Sequence, residues 1–179
     1  MTAATGDFDL TIEELRIVAR YAVEAAAEVL TVFENSERGD ERPRNAITAA
    51  WTFVDGAPRS TLQRVASLDA HRAAREAGSE AARRAAQAAG DAAAAAYLHP
   101  LATSTQVGHI LRAAANAARV AELEAGDDPA AAERAIGRAL DRATPALIDI
   151  LLRYPAAPAG KSRVAHLMTA IDSRLRAAR

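Results

Sequence analysis

Four polar side chains with reactive or ligand-binding groups recur at helical spacing in the middle of the chain. They lie four, three and four residues apart, in the order Thr105, His109, Arg112 and Asn116. In a helix this spacing places the hydroxyl, imidazole, guanidinium and amide groups on one face. Imidazole titrates near neutral pH, so such a face could transfer a proton while the guanidinium stabilises an anion.

A second histidine offers the same chemistry elsewhere in the sequence. His71 lies among alanines and shares a predicted helix face with Arg75, and we expect it to be half-buried against a neighbouring helix. Asp69 is two residues away and points to a different face, so we predict that it pairs with Arg72 at the surface. Either His71 is a hydrogen-bonded structural residue, or it joins His109 as a catalytic acid or base.

Two arginines stand at the start of another predicted helix, where cations oppose the helix dipole. Arg42 and Arg44 therefore require an acidic partner. One interpretation is an internal ion pair with Asp40, Glu41 or a carboxylate of the first helix. The other is contact with an anion or with a partner protein.

Other kinds of site have little support in the sequence. No helix carries paired metal ligands such as HxxxH, HxxE or ExxH, and the chain has no serine nucleophile motif, glycine-rich phosphate loop or paired carboxylates. We therefore expect no metal and no cofactor. The formal net charge of −1 argues against nucleic acid as a partner, because phosphate binding requires a basic excess.

The sequence also indicates the cellular compartment of the protein. The chain has no cysteine and so forms no disulfide, which fits a reducing cytosol. Its first ten residues lack the pattern of a signal peptide, and no apolar run is long enough to cross a bilayer. We expect a cytoplasmic protein that does not enter the membrane.

Helices must position the candidate side chains. Apolar residues make up 50% of the chain but aromatic residues only 4%, and much of the apolar content is alanine, the strongest helix former. The sequence predicts an all-α bundle of seven or eight helices with close, alanine-rich packing. We expect residues 1–179 to form a single domain.

Capping residues and breakers place the helix ends. Capping boxes are predicted at Thr11 with Glu14 and at Ser60 with Gln63. Helix 1 should span residues 12–33, helix 2 the stretch between Asp40 and Gly56, helix 3 that between Ser60 and Gly78, helix 4 residues 80–97 and helix 5 residues 103–125. Helices 6, 7 and 8 should open at Asp128-Pro129, at Thr144-Pro145 and near Ser162, the last after a loop rich in Pro, Ala and Gly at 154–161.

Large apolar residues must supply most of the burial, because each alanine buries little area. We expect the core to contain Leu15, Val29, Phe33, Ile47, Trp51, Leu62, Val65, Ile110, Leu111, Leu123, Leu147 and Ile150. A thin core of this kind can gain burial by association, so a homodimer is a further expectation.

Three stretches together resemble the Imm-5-like putative immunity protein family. They are the Arg-Pro-Arg segment between Asp40 and Gly56, the run DAHRAAR at 69–75 with the alanines up to Gly90, and LHPLATSTQVGHILRAAANAARVAEL at 98–123. The resemblance covers about residues 40–123. The family-like positions are Arg42, Pro43, Arg44, His71, Arg75, Gly90 and His109. The chain departs from the family at Tyr97 and Leu101, where many members carry histidine, and at Phe53, where tryptophan is expected.

The resemblance implies a small bacterial protein that neutralises a toxin of a polymorphic toxin system. Such a protein should present an exposed interface of about 800 Å² and no deep pocket. The alternative is a small-molecule enzyme or resistance binder with a cleft between helices 2, 3 and 5. In that case His71 and His109 act as acid and base, and the binding residues are Arg42, Arg44, Trp51, Arg75, Tyr97, His99, Thr105, Arg112 and Asn116.

Overall fold

The computed structural model describes residues 7–178, which form eight α-helices and no strand. The predicted all-α class is therefore confirmed. The helices are α1 (Ile12–Ser36), α2 (Arg42–Val54), α3 (Thr61–Glu76), α4 (Glu80–Ala94), α5 (Val107–Glu124), α6 (Pro129–Arg142), α7 (Pro145–Leu151) and α8 (Arg163–Ala177).

Side-chain caps start most of the helices where the sequence predicts them. Both capping boxes form: the Thr11 hydroxyl accepts from the Glu14 amide at 3.2 Å, and Gln63 Oε1 accepts from the Ser60 amide at 3.0 Å. The starts of α4, α6, α7 and α8 are capped by Ser79, Asp128, Thr144 and Ser162. These interactions are local, which is why sequence alone can predict them.

The predicted helix ends around His99-Pro100 need correction. α4 ends at Ala94 and tightens into a 3₁₀ turn at Ala95–Tyr97, and a second 3₁₀ turn at Ser104–Gln106 precedes α5. A 3₁₀ turn has three residues per turn, so it changes the register of the face that follows. Thr105 belongs to this second 3₁₀ turn and so lies outside α5. It is exposed, and its hydroxyl lies 3.1 Å from that of Thr103.

Alanine-rich helices pack closely around α4, which contacts α1, α2, α3 and α5. The space between α3 and α4 depends on Gly90, since a Cβ there would lie 2.7–2.9 Å from ring atoms of His71. The hydrophobic core draws buried residues from all eight helices.

The expected core is wrong at α3. Leu62 and Val65 are 49% and 54% exposed, because α3 buries its small residues instead. Trp51 and Leu123 are only half-buried. The other predicted core residues are buried, namely Leu15, Val29, Phe33, Ile47, Ile110, Leu111, Leu147 and Ile150.

Two buried carboxylates hold the C-terminal helix α8 in place. Glu122 on α5 accepts hydrogen bonds from Arg163, the shortest 2.6 Å long. Asp172 accepts from Arg176 at 2.8 Å and from the amide of Ala157 at 2.9 Å. α8 is therefore docked on α5, and the loop before it is tied to its inner face.

Candidate functional site

A cavity of about 300 Å³ lies between α3, α4, α5 and the start of α8. Polar side chains from the first three helices form one part of its wall, and α8 supplies mostly apolar atoms. The lining residues are His71, Arg84, Gln87, Asp91, Arg112, Asn116, Ser162, Val164, Ala165 and Met168.

Asp91 is the central polar group of this cavity. It is 5% exposed, and its Oδ2 accepts a hydrogen bond from Asn116 Nδ2 at 2.9 Å. Its other oxygen, Oδ1, lies 3.6 Å from Arg112 Nη1 and 3.7 Å from His71 Nε2. Both distances exceed a normal hydrogen bond, so Arg112 forms only a long ion pair with the buried carboxylate.

Burial sets the protonation of the two titratable groups. Burial raises the pKa of Asp91 to about 7, although Arg112 and the hydrogen bond from Asn116 oppose the rise. Burial, together with the positive charges of Arg112 and Arg75, lowers the pKa of His71. At neutral pH the imidazole is therefore uncharged, while Asp91 populates both its charged and its neutral form.

Two glycines make room for the side chains around Asp91. Gly90 accommodates the ring of His71, and Gly108 accommodates the guanidinium of Arg112, which a Cβ at that position would contact. An alanine at either position would displace one of the groups beside Asp91. The glycines thus make room for these side chains, although each lies within a helix.

Some hydrogen-bonding capacity beside the cavity is unused among the described residues. Asn116 Oδ1 and Arg84 Nε are buried without a hydrogen-bond partner. Arg84 Nη1 donates to Gln87 Oε1 at 3.0 Å, which fixes the side chain along the cavity wall. A buried polar atom without a partner costs free energy, and Arg84 Nε is compensated in part by Glu80 Oε1 at 3.5 Å.

The structure brings together three of the predicted site residues, His71, Arg112 and Asn116. Sequence reasoning missed Asp91, Arg84 and Gln87. A usable signal for Asp91 was present, since it is the only charged residue between Ala85 and Ala96. An isolated acidic residue within an alanine run is expected to face either solvent or a specific partner.

The position of this cavity differs from that of the predicted cleft between helices 2, 3 and 5. The cavity lies between α3, α4, α5 and α8, and neither His109 nor His99 lines it. His109 is half-buried elsewhere on α5, where burial, Arg112 and His99 lower its pKa. Trp51 also lies outside the cavity, beneath the Arg20 guanidinium at 5.4 Å.

The helix-start arginines form the internal ion pairs of the first interpretation. Arg42 pairs with Asp40 at 2.6 Å and with Glu76 at 2.5 Å, and Arg44 pairs with Glu34 of α1 at 2.6 Å. The predicted surface pair between Asp69 and Arg72 also forms, at 2.7 Å. Arg75 is exposed on α3 and acts on the cavity only through its charge near His71.

A second region of interest is the outer face of α3. Leu62, Val65 and Leu68 form an exposed apolar row, with 49%, 54% and 52% of each residue accessible. One groove, of about 340 Å³, separates this row from α2 and is lined in part by Arg42. Another, of about 190 Å³, lies on the opposite side and is lined in part by Tyr97 and His99.

Within residues 7–178, no helix is long and apolar enough to span a bilayer. No group of three or more His, Cys, Asp or Glu side chains in this part of the chain is placed to hold a metal ion.

Comparison with known proteins identifies a family. A sequence model described as Imm-5 like putative immunity protein matches residues 9–143, a stretch that contains α1 to α6. The match extends well beyond the 40–123 region that carries the resemblance. The start of α8, which supplies one wall of the cavity, lies outside it. The curated proteins and the solved structures give no match.

Proposed function

This chain belongs to the Imm-5 like putative immunity protein family, and on that premise we propose that it binds and neutralises a toxin protein. The observation that supports this proposal best is the exposed row of Leu62, Val65 and Leu68 on α3. Large aliphatic side chains grouped on a surface are typical of protein interfaces.

The shape of this face suits a protein partner. The apolar row stands between two grooves, so apolar side chains of a toxin could insert on either side of it. Charged groups surround the row, among them Arg64, Asp69 and Arg72, and would form a polar rim. An apolar centre with a charged rim is the usual arrangement of a specific interface.

The charge of the same face favours a protein over a nucleic acid. Between residues 61 and 76 three arginines stand beside two acidic residues, so the face carries both signs. Nucleic-acid binding would require a continuous basic surface.

The acid–base enzyme alternative has weaker support. It requires His71 and His109 to share a pocket, and only His71 lines the cavity. We therefore treat the cavity as a binding site, separate from the toxin interface.

The test co-expresses this protein with candidate bacterial toxin domains, each from an inducible promoter in a bacterial host. The wild-type protein should restore growth and co-purify with the toxin. Val65→Asp places a charge in the apolar row and should weaken the complex by at least about 2 kcal/mol, the scale of an interface hot spot. The matched control is Ala130→Asp, at an exposed position of α6, a helix that packs on α5 and α8.

Growth protection by Val65→Asp equal to that of the wild type would contradict the assignment of this face. Light scattering of the free protein supplies a second readout. If Val65→Asp converts a dimer to a monomer and leaves toxin binding intact, the α3 face is a contact between two copies of this chain.

A further inference from the structure

Three carboxylates are buried in the part of the chain that the structure describes, and one of them has only a long ion pair. Glu122 has Arg163 at 2.6 Å, and Asp172 has Arg176 at 2.8 Å. Asp91 is as deeply buried, yet the nearest cationic nitrogen, on Arg112, is 3.6 Å from its Oδ1. A buried carboxylate in a long ion pair is only partly compensated for its burial, so a cationic group from outside would bind favourably beside it.

Asp91 Oδ1 is also placed to meet such a group. Oδ2 is occupied by the hydrogen bond from Asn116, whereas Oδ1 has no partner within hydrogen-bond distance and its residue lines the cavity. Asn116 Oδ1 is buried and has no hydrogen-bond partner among the described residues. Asp91 Oδ1 is therefore the acceptor that an ammonium group would meet.

The remaining polar wall attracts the opposite charge. The Arg112 side chain is 47% exposed, and Arg84 and Ser162 line the same cavity. Ser162 is the N-cap of α8, so the positive end of that helix dipole also faces the cavity. A guanidinium with a helix N-terminus is well suited to a carboxylate.

We propose that this cavity binds a free α-amino acid with a small apolar side chain. The ammonium group contacts Asp91, the carboxylate contacts Arg112 at the mouth, and the side chain packs against Val164 and Met168. The volume of about 300 Å³ is at the small end of ligand pockets, which suits a ligand of this size. The proposal is independent of toxin binding, since Leu62, Val65 and Leu68 are not among the residues that line the cavity.

The experiment measures binding to the full chain by calorimetry and by the shift of the melting temperature. The probes are L-valine and three analogues that change one group at a time: isobutylamine without the carboxylate, isovalerate without the ammonium, and 2-hydroxy-3-methylbutanoate with a neutral donor. L-valine should bind and raise the melting temperature, because ligand bound across α4, α5 and α8 stabilises the folded state. Each analogue that lacks a charged group should bind at least about tenfold more weakly.

Two variants locate the site. Asp91→Asn should weaken L-valine binding by at least about tenfold, because the ammonium loses its counter-ion. The matched control is Asp69→Asn, which makes the same change to a half-buried carboxylate outside the cavity and should bind L-valine normally. If Asp91→Asn does not fold, Arg112→Gln provides the equivalent test, because Arg112 is the proposed contact of the ligand's carboxylate.

Several outcomes would overturn the proposal. One is no binding of L-valine by the wild type at up to about 10 mM, a concentration that detects millimolar affinities. Another is equal binding by the wild type and by both cavity variants. Tighter binding of isobutylamine or isovalerate than of L-valine would show that the cavity recognises a single charge.

Discussion

Two regions beside α8 each bury a carboxylate, but only one of them pairs it closely with arginines. At the α5–α8 contact, Glu122 is 3% exposed and is held by Arg163 and Arg119 at 2.6 and 2.8 Å. In the cavity, Asp91 is 5% exposed and has no cation closer than 3.6 Å. The first arrangement fastens two helices together, and the second leaves a buried charge available to a ligand. A difference of about 1 Å in the distance between charged groups thus distinguishes a structural ion pair from a candidate binding group.

The largest effect on stability is expected from removing the carboxylate of Glu122 at the α5–α8 contact. Glu122→Gln leaves Arg163 and Arg119 without their carboxylate and should lower the free energy of unfolding by about 2–3 kcal/mol. Water can solvate the half-exposed Arg163 guanidinium, which limits the loss. For a chain of this size that corresponds to a fall of roughly 5–10 °C in melting temperature, measurable by circular dichroism.

The pH dependence should support the assignment. Arg163 lowers the pKa of Glu122, so its stabilisation is present above the unfolded-state pKa and is lost as the pH falls. The cost of Glu122→Gln should therefore shrink in acid. An equal cost at pH 8 and at about pH 3 would argue for packing instead of charge.

Asp91→Asn should change the free energy of unfolding in the direction opposite to Glu122→Gln. The pKa of Asp91 is about 7 in the folded protein and near the ordinary 3.8 in the unfolded chain. Between these values the folded protein holds the extra proton, so its stability falls as pH rises through this window. Removing the charge should therefore stabilise the protein at pH 8, by about 1–2 kcal/mol, and change little at about pH 4.

Denaturant titrations of the wild type and Asp91→Asn at the two pH values measure this difference. A variant less stable than the wild type at pH 8 would show that the ionised carboxylate is well compensated. That result would also contradict the inference that the ionised Asp91 is only partly compensated for its burial.

A smaller effect is expected at the glycine that holds His71 beside Asp91. Gly90→Ala should displace the imidazole, whose ring atoms lie 2.7–2.9 Å from the added Cβ. The displacement should offset the gain of roughly 0.5–1 kcal/mol that alanine brings to a helix. Gly137→Ala is the control, since nothing lies within 4 Å of its added Cβ and the full gain should appear.

The imidazole resonances of His71 follow this change by NMR. As the ring leaves its buried position, its lowered pKa should return toward the ordinary value. Unchanged His71 resonances in Gly90→Ala would mean that α3 and α4 separate instead of the ring moving.

The smallest effect on stability should come from the outer face of α3. Val65 is 54% exposed, so Val65→Asp should change the free energy of unfolding by less than about 0.5 kcal/mol, within the usual range for surface substitutions. Chemical denaturation measures it. A loss of several kcal/mol would show that the apolar row contributes to the fold of the monomer, and the toxin-binding assay would then need a milder variant.

Most of the helices could be predicted because the signals that start and stop them are local. Thr11, Ser60, Ser79 and Ser162 cap their helices through bonds to residues two or three positions away. The candidate site could be predicted only in part. Arg112 and Asn116 share a face through their spacing, whereas Asp91 comes from another helix and its nearness depends on how α4 packs against α5.

The sequence by itself determined the all-α class, most of the helix starts and the family, since these depend on composition, on caps and on the order of residues along the chain. Only the tertiary structure decided which face of α3 is buried and which side chains meet at the cavity. The reason is that alanines allow α3 and α4 to approach closely, so small residues occupy the contact and Leu62, Val65 and Leu68 are left outside. Hydrophobicity predicts that a residue can be buried, but the fit between two helices determines which residues are.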